Sequence, residues 1–225
     1  MAKKKLLWGG GAKAILALQL FNLKNVIIFD PFIKKLKFKT NFPFFNKYSD
    51  LENIIKQCSE FHVCIGNDGG KIRSIIAKKL VMRKMKPISL IHKTSIIHKS
   101  VKMGKMLMIM PGVVINPNVK IDDYCVVNTS AVIEHDCILE PCIDIMGSAS
   151  IAGECLIKKN VTVGNNATIF PNLTLGENCF IGSGSVVRRN VKKNDIVVGN
   201  PAKFLKKNNQ KNPKSEITIK NLKNI

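Results

Sequence analysis

The residues best suited to chemistry stand in the segment Asn128-Thr-Ser-Ala-Val-Ile-Glu-His135-Asp136. The chain has four histidines, and His135 is the only one beyond Lys99. An imidazole titrates near neutral pH, so it can take a proton from an attacking nucleophile as a general base. Asp136 can orient the ring and stabilise the imidazolium, and Glu134 is the next candidate base. On its own, a lone histidine at a corner is also an ordinary surface residue. A second group of residues suits an anionic ligand. Gly9, Gly10 and Gly11 follow an apolar run with Lys13 just behind them, Asp30 ends a second run, and Asn67 and Asp68 follow a third.

These residues need elements to hold them, and the two halves of the chain supply different kinds. In the first half, a strand over Lys5 to Trp8, a helix over Ala12 to Phe21 and a strand over Val26 to Phe29 are expected. The stretch from Pro31 to Tyr48 has no clear period and reads as an irregular connection. Asp50 can cap a helix over Leu51 to Gln57. A strand over Phe61 to Ile65, a helix over Lys71 to Met85 and a strand over Ile88 to Ile91 complete a small Rossmann-like parallel sheet flanked by helices. Such a sheet binds ligands at the carboxyl ends of its strands, here Gly9 to Gly11, Asp30, and Gly66 to Asp68. The glycine turn resembles a dinucleotide site but lacks Gly-x-Gly-x-x-Gly. A plain turn that lets a helix pack closely explains it equally well.

The second half repeats every six residues. From Val101 to Val191 each sixth residue is small and apolar except Ser185, and the residue two places later is apolar from Met103 to Val187, failing at Lys193. Alternation over three residues is a short strand. Gly112, Asn118, Ser130, Asp136, Ser148, Asn160, Asn166, Asn172, Asn178, Gly184 and Asn190 fall just before each new hexad, and their types close tight corners. Short strands and regular corners wound one way make a parallel β-helix.

Composition narrows the function. Only four of 36 basic residues are Arg, which argues against nucleic-acid binding despite a formal charge of +21. Anionic small molecules are the expected partners. Cys125, Cys137, Cys155 and Cys179 fill inward hexad slots and read as reduced packing residues, and no Cys-x-x-Cys pair suggests zinc. No stretch is apolar enough for a membrane span, and the glycines and Lys13 interrupt a signal-like start, so a cytoplasmic protein is expected.

With its hexads, the chain resembles the hexapeptide-repeat acyltransferases. That likeness implies a left-handed β-helix of triangular section, with three hexads in each coil. The α/β half ahead of the repeat sharpens the likeness to the sugar O- and N-acetyltransferases, which include sialic acid O-acetyltransferases and enzymes that N-acetylate UDP-linked 4-amino sugars of surface glycans. Their Asn-x-x-x-x-x-x-His-Asp/Glu signature matches Asn128 to Asp136. The resemblance implies a domain over residues 1–94 that holds a nucleotide-sugar or sugar acceptor through Gly9, Gly10, Gly11, Lys13, Asp30, Asn67 and Asp68. It implies a β-helix over 95–205 that binds acetyl-CoA, a basic tail over 206–225, and a homotrimer with sites between chains. His135 is then the base, and Gly153, one coil on, offers its N–H to the thioester carbonyl. Asn165, Gly182 and Ser183 extend the cofactor contacts, and Lys203, in Gly199-Asn-Pro-Ala-Lys203, meets a phosphate. Asp144 departs from the pattern, standing nine residues after the base where several relatives carry a second histidine near the acetyl group. It is therefore expected at the cofactor, with an altered contact, an altered acceptor or a weakened enzyme all open. A non-catalytic nucleotide-sugar-binding scaffold and a dinucleotide-dependent enzyme using Gly9 to Gly11 and Asp30 are the competing readings.

Overall fold

The structure, a computed structural model, describes residues 3–66, 70–209 and Lys220. In the first half, β1 (Lys4–Trp8), α1 (Ala12–Leu20), β2 (Val26–Phe29), β3 (Phe44–Phe45), α2 (Leu51–Gln57), β4 (Cys58–Val63), α3 (Gly70–Met82) and β5 (Lys86–Pro87) follow in order. The strands form one parallel sheet in the order β3-β2-β1-β4-β5. The order reverses at β1, so the ends of β1 and β4 open the crevice where such sheets take ligands. Alternation along β1 splits its side chains between two cores. Leu6 and Trp8 pack with α2 and α3, whereas Leu7 packs with α1 and the β-helix.

Several elements differ from the sequence reading. The connection after β2 contains β3, which two residues add to the sheet edge, too short for any period to reveal. Asp50 holds the N-cap position of α2 but makes no side-chain cap bond, because a 3₁₀ turn over Tyr48–Asp50 leads directly into the helix. The expected strand over Ile88 to Ile91 is present only as Leu90–Ile91, and the strand that completes the α/β sheet precedes it. Lys86–Pro87 closes the α/β sheet, whereas Leu90–Ile91 pairs with Met108–Ile109 and starts the β-helix ahead of residue 95.

The β-helix then runs as two-residue strands every six residues, each pairing with the strand three hexads away, so three faces result. The first face carries Leu90, Met108, Val126, Asp144, Thr162 and Phe180 outward, the second Ile96, Val114, Val132, Ser150, Thr168 and Val186, and the third Lys102, Lys120, Ile138, Leu156 and Thr174. The two inward rows fill the interior, where Leu107, Val113, Ile133, Ile145 and Ile157 are fully buried. The four inward cysteines are buried and unbridged. Ser185, the polar exception, is also buried, and its hydroxyl accepts the Gly199 N–H at 3.1 Å. The period fails at Lys193 because the last coil is short: Phe180 pairs with Ile196, where a full coil would have brought Val198. Strand Asp195–Val198 then pairs antiparallel with Lys203–Lys207, which carries ordered chain past the boundary expected at 206. Residues 210–219 and 221–225 of the expected tail, including the edge strand considered over Ser215 to Ile219, lie outside the described residues.

Every sixth residue from Met106 to Gly184 has a positive φ. Asn190 does not, since the shortened coil moves that conformation to Asn194. Most of these corners are Asn, Gly, Ser or Asp, which tolerate left-handed angles. Met106, Tyr124, Cys142 and Glu154 break the rule. The first three fall one coil apart on a single edge, between the third and first faces. That edge is covered: Met106 and Tyr124 pack into the core of the α/β sheet, and α3 begins against Cys142. The first face is covered as well, with Met108, Val126, Asp144 and Thr162 buried although they point outward.

Gly70 opens α3 at this contact, and a Cβ there would collide with the Cys142 carbonyl oxygen. Gly70→Ala is expected to cost about 2 kcal/mol or more as overpacking, seen as a fall in Tm of at least roughly 4 °C. An unchanged melting curve would contradict this close approach.

Candidate active site

His135 and Asp136 form the corner after strand Val132–Ile133, on the edge between the second and third faces. The coil fixes their backbone. The Asp136 N–H donates to Pro117 O at 3.0 Å, and the His135 carbonyl accepts the Glu154 N–H from the next coil at 2.9 Å. The imidazole is exposed, and its Nδ1 lies 2.9 Å from Asp136 Oδ2. Asp136 Oδ1 accepts from Asn118 Nδ2 at 3.0 Å, so the carboxylate is oriented from the coil below. The hydrogen bond to Asp136 raises the His135 pKa, and the same bond, with help from Asn118, holds Asp136 below the usual carboxylate range. With Nδ1 engaged as donor, Nε2 carries the lone pair. Glu134 instead accepts from Asn116 Nδ2 at 2.7 Å.

Gly153 lies directly over this ring. A Cβ there would stand 2.7 Å from both Cε1 and Nε2 of His135, so any larger residue would displace the imidazole. Among the described residues the Gly153 N–H has no hydrogen-bond partner. Continuing up the same edge, Pro171 and Phe170 follow, then Arg188 and Arg189. Arg188 lies over the Phe170 ring at 5.6 Å from its centroid. The two arginines line a cleft of about 790 Å³ together with Lys192, Asp195, Lys203 and Lys207. This cleft brings Lys203 to the edge that carries His135. The sequence reading does not mark Arg188 and Arg189, although they are two of only four arginines and stand three coils above His135.

Asn165 and Ser183 are exposed on a different edge, between the first and second faces, and are not brought to His135 within one chain. Gly182 is buried beneath them. Its N–H donates to Val197 O at 2.8 Å, and a Cβ there would meet Val198, so it serves the coil and offers no free donor.

In the α/β half, Gly9 has φ +115° and approaches Cys64 O, and Gly10 has no room for a Cβ beside Ile33 and Leu36. Gly11 faces open space at the start of α1, whose first turn has no acidic residue. Asp30 accepts from the Gly10 N–H at 2.8 Å and the Phe32 N–H at 2.9 Å, so its carboxylate closes the glycine turn. Lys13 reaches Asn128 Oδ1 on the β-helix and packs over Gly66, and burial lowers its pKa. Asn67 and Asp68 lie outside the described residues.

Asp144 requires a correction. Expected at the cofactor, it is instead 2 % exposed on the first face under the α/β half, paired with Arg73 at 2.9 and 3.3 Å. The strand register decides this, since Asp144 continues the outward row of Met108 and Val126 that α1 and α3 cover. His62, a further buried imidazole, bonds Ile88 O through Nδ1 at 2.9 Å, and burial lowers its pKa to about 4. Among the described residues no cluster of His, Cys, Asp and Glu could hold a metal, and no helix is long and apolar enough to cross a membrane.

Residues 154–189 match the family model of the bacterial transferase hexapeptide, six repeats. No curated protein sequence matches the chain significantly. Among solved structures, PerB from Caulobacter crescentus in complex with CoA and GDP-perosamine is 25% identical, with a TM-score of 0.81 over 92% of this chain and 99% of that one. The acetyltransferase domain of PglB from Neisseria gonorrhoeae is 26% identical, with a TM-score of 0.80 over 91% and 100%. WeeI from Acinetobacter baumannii, at 19% identity, shares the fold, with a TM-score of 0.79 over 91% and 100%. The α/β sheet and the unbroken hexad run thus stand in a chain that carries the bacterial transferase hexapeptide repeat and is similar over nearly its whole length to PerB and to the acetyltransferase domain of PglB.

Proposed function

We propose that the protein transfers an acetyl group from acetyl-CoA to the amino group of a nucleotide-linked sugar in surface-glycan biosynthesis, with His135 as general base. The reading rests chiefly on one observation, the exposed imidazole held through Nδ1 by Asp136 with Nε2 beside Gly153. Neighbouring structures support the substrate class. PerB was solved with CoA and GDP-perosamine, and the PglB domain with acetyl-CoA. The cosubstrate supplies an activated thioester. His135 Nε2 accepts the proton that the amine sheds as it attacks, and the unpartnered Gly153 N–H is the nearest backbone donor for the developing oxyanion. Asp136 stabilises the imidazolium so formed.

The cofactor lies along the edge from His135 to Arg189. Three coils at about 4.8 Å each give roughly 14 Å, a length that suits an extended pantetheine arm. Arg188, Arg189 and Lys203 then take the phosphates in the basic cleft. A non-catalytic scaffold, the competing reading, drew its support from Asp144, which is engaged by Arg73 away from this edge.

The acceptor must come from another chain. The α/β half covers the first face, whereas His135 stands on the edge opposite that face. The second face between them is uncharged, with Ile96, Val114, Val132 and Val186 outward. Three chains packed with second faces around a threefold axis bring the His135 edge of each against the Asn165 and Ser183 edge of the next, beside its Lys13 and glycine turn. A cytoplasmic reaction goes with this reading.

His135→Ala is expected to lower kcat with acetyl-CoA and GDP-perosamine by about 10²–10⁴, with thermal stability unchanged because the ring is exposed. Retention of more than about a tenth of turnover would move the base elsewhere, first to Glu134. The base works neutral, so kcat/KM rises with pH through a pKa above the ordinary histidine value. Asp136→Asn removes the main cause of that rise, and its acid limb is expected at lower pH; a pH–rate profile whose limb stays in place would contradict the assignment. Val132→Asp places like charges at the proposed axis and is expected to turn a trimer into monomers by light scattering, with turnover lost. An intact trimer would place the interface on another face.

A further inference from the structure

The Arg73–Asp144 pair is buried, with both residues at 2 % exposure or less, in an outward row that runs Met108, Val126, Asp144, Thr162, apolar on one side of the pair and a threonine on the other. Apolar packing already joins the two halves in one core through Met108 and Val126, and burying two charges costs several kcal/mol per ion before their attraction is counted. A pair retained at such a site calls for a role other than adhesion. The partners of the guanidinium suggest one. Arg73 Nη1 donates to Ile65 O at 2.8 Å, Nε donates to Tyr124 O at 3.1 Å, and Nη1 and Nη2 face the two Asp144 oxygens. Ile65 lies just past β4, at the crevice where the sheet order reverses, and Tyr124 is a β-helix corner. One rigid planar group thus connects the mouth of the crevice to two points on the β-helix.

Neighbouring contacts act in the same direction. The Lys71 N–H donates to Asn160 Oδ1 at 3.2 Å, Gly70 abuts Cys142, and Lys13 spans from the glycine turn to Asn128 while packing over Gly66. Both walls of the crevice, the glycine turn and the segment after β4, are tied to the β-helix by a side chain that crosses the junction.

We infer that Asp144 is a positioning residue: through Arg73 it holds the segment at Ile65, and hence the acceptor, at a fixed height on the β-helix, and so sets the acceptor's alignment with the acetyl group. The inference rests on the acetyltransferase reading above. It assigns position 144 an action on the acceptor through Arg73, with no contact to the acyl group.

The test replaces the pair by apolar residues of similar size, Arg73→Met with Asp144→Leu, alongside the isosteric single variant Asp144→Asn. Replacing the charges is commonly neutral or stabilising, whereas the Ile65 and Tyr124 carbonyls lose a donor, so a folded variant with a Tm close to wild type is expected. If the pair only held the fold, the double variant would then behave as wild type. If it positions the acceptor, KM for GDP-perosamine rises at least tenfold while KM for acetyl-CoA stays within twofold. Amide hydrogen exchange at residues 64–66 also quickens at least tenfold in either variant. An unchanged acceptor KM in a folded variant, or unchanged exchange at residues 64–66, overturns the inference. Should the wild type not turn over GDP-perosamine, the assignment of that acceptor fails separately and the exchange measurement decides the positioning role. Should the double variant not fold, Asp144→Asn carries both measurements.

Discussion

One hydrogen bond, repeated at each left-handed corner from Tyr124 to Gly184, underlies the architecture. The residue with positive φ donates its N–H to the carbonyl just before the corner one coil below: Tyr124 to Lys105, Ser130 to Pro111, Asp136 to Pro117, Cys142 to Asp123, Glu154 to His135, and on to Gly184 to Asn165, all between 2.8 and 3.1 Å. The bond can form only if the chain turns left-handed there and returns to the same edge after three hexads. A left-handed conformation costs a non-glycine residue roughly 1–2 kcal/mol, and this bond, with the ladder bonds on either side, makes that cost bearable even at Tyr124 and Glu154. The inward apolar rows follow from it, since side chains that stack coil on coil must be small and dry to close the interior.

The same stacking builds the edge that carries His135. Residues distant in sequence become vertical neighbours, so Asn118 supports Asp136, Asp136 holds His135, Gly153 leaves room for the ring, and Arg188 and Arg189 crown the column. The spacing of this column is set by the coil rise, about 4.8 Å per turn, and no loop has to fold over the site to create it. Rigid repetition supplies the alignment that many enzymes obtain from mobile segments, and the ring orientation then depends on a single carboxylate.

The α/β half exploits the regularity differently. It settles on one face and one edge of the prism, and the corner residues on that edge change accordingly. Met106, Tyr124 and Cys142 meet α3 and its surroundings, whereas Asn160, which accepts the Lys71 N–H at the end of that contact, joins Asn178 and Asn194 side chain to side chain as a polar ladder. The junction is mixed in character, apolar through Met108 and Val126 and ionic through Arg73 and Asp144. The second face stays uncovered within one chain.

The hexad period alone determined the β-helix, its corners and the outward direction of His135, because a six-residue repeat fixes which way each side chain points. The βα alternation determined the small sheet and its glycine turn, and the stacked cysteines were legible as packing residues because they occupy inward slots. The tertiary structure decided the fate of Asp144, Lys13, Asp30 and Gly182. Each carries a group that suits ligand chemistry, and each is claimed by a contact from a distant part of the chain: Arg73, Asn128, the Gly10 N–H and Val197 O. It also decided that β3 exists, that Leu90 already belongs to the β-helix, and that Arg188 and Arg189 share a cleft with Lys203. The physical reason is common to all of these. A periodic pattern reports the direction of a side chain, but whether that direction leads to solvent, to a ligand or into another domain depends on which face the rest of the chain comes to cover.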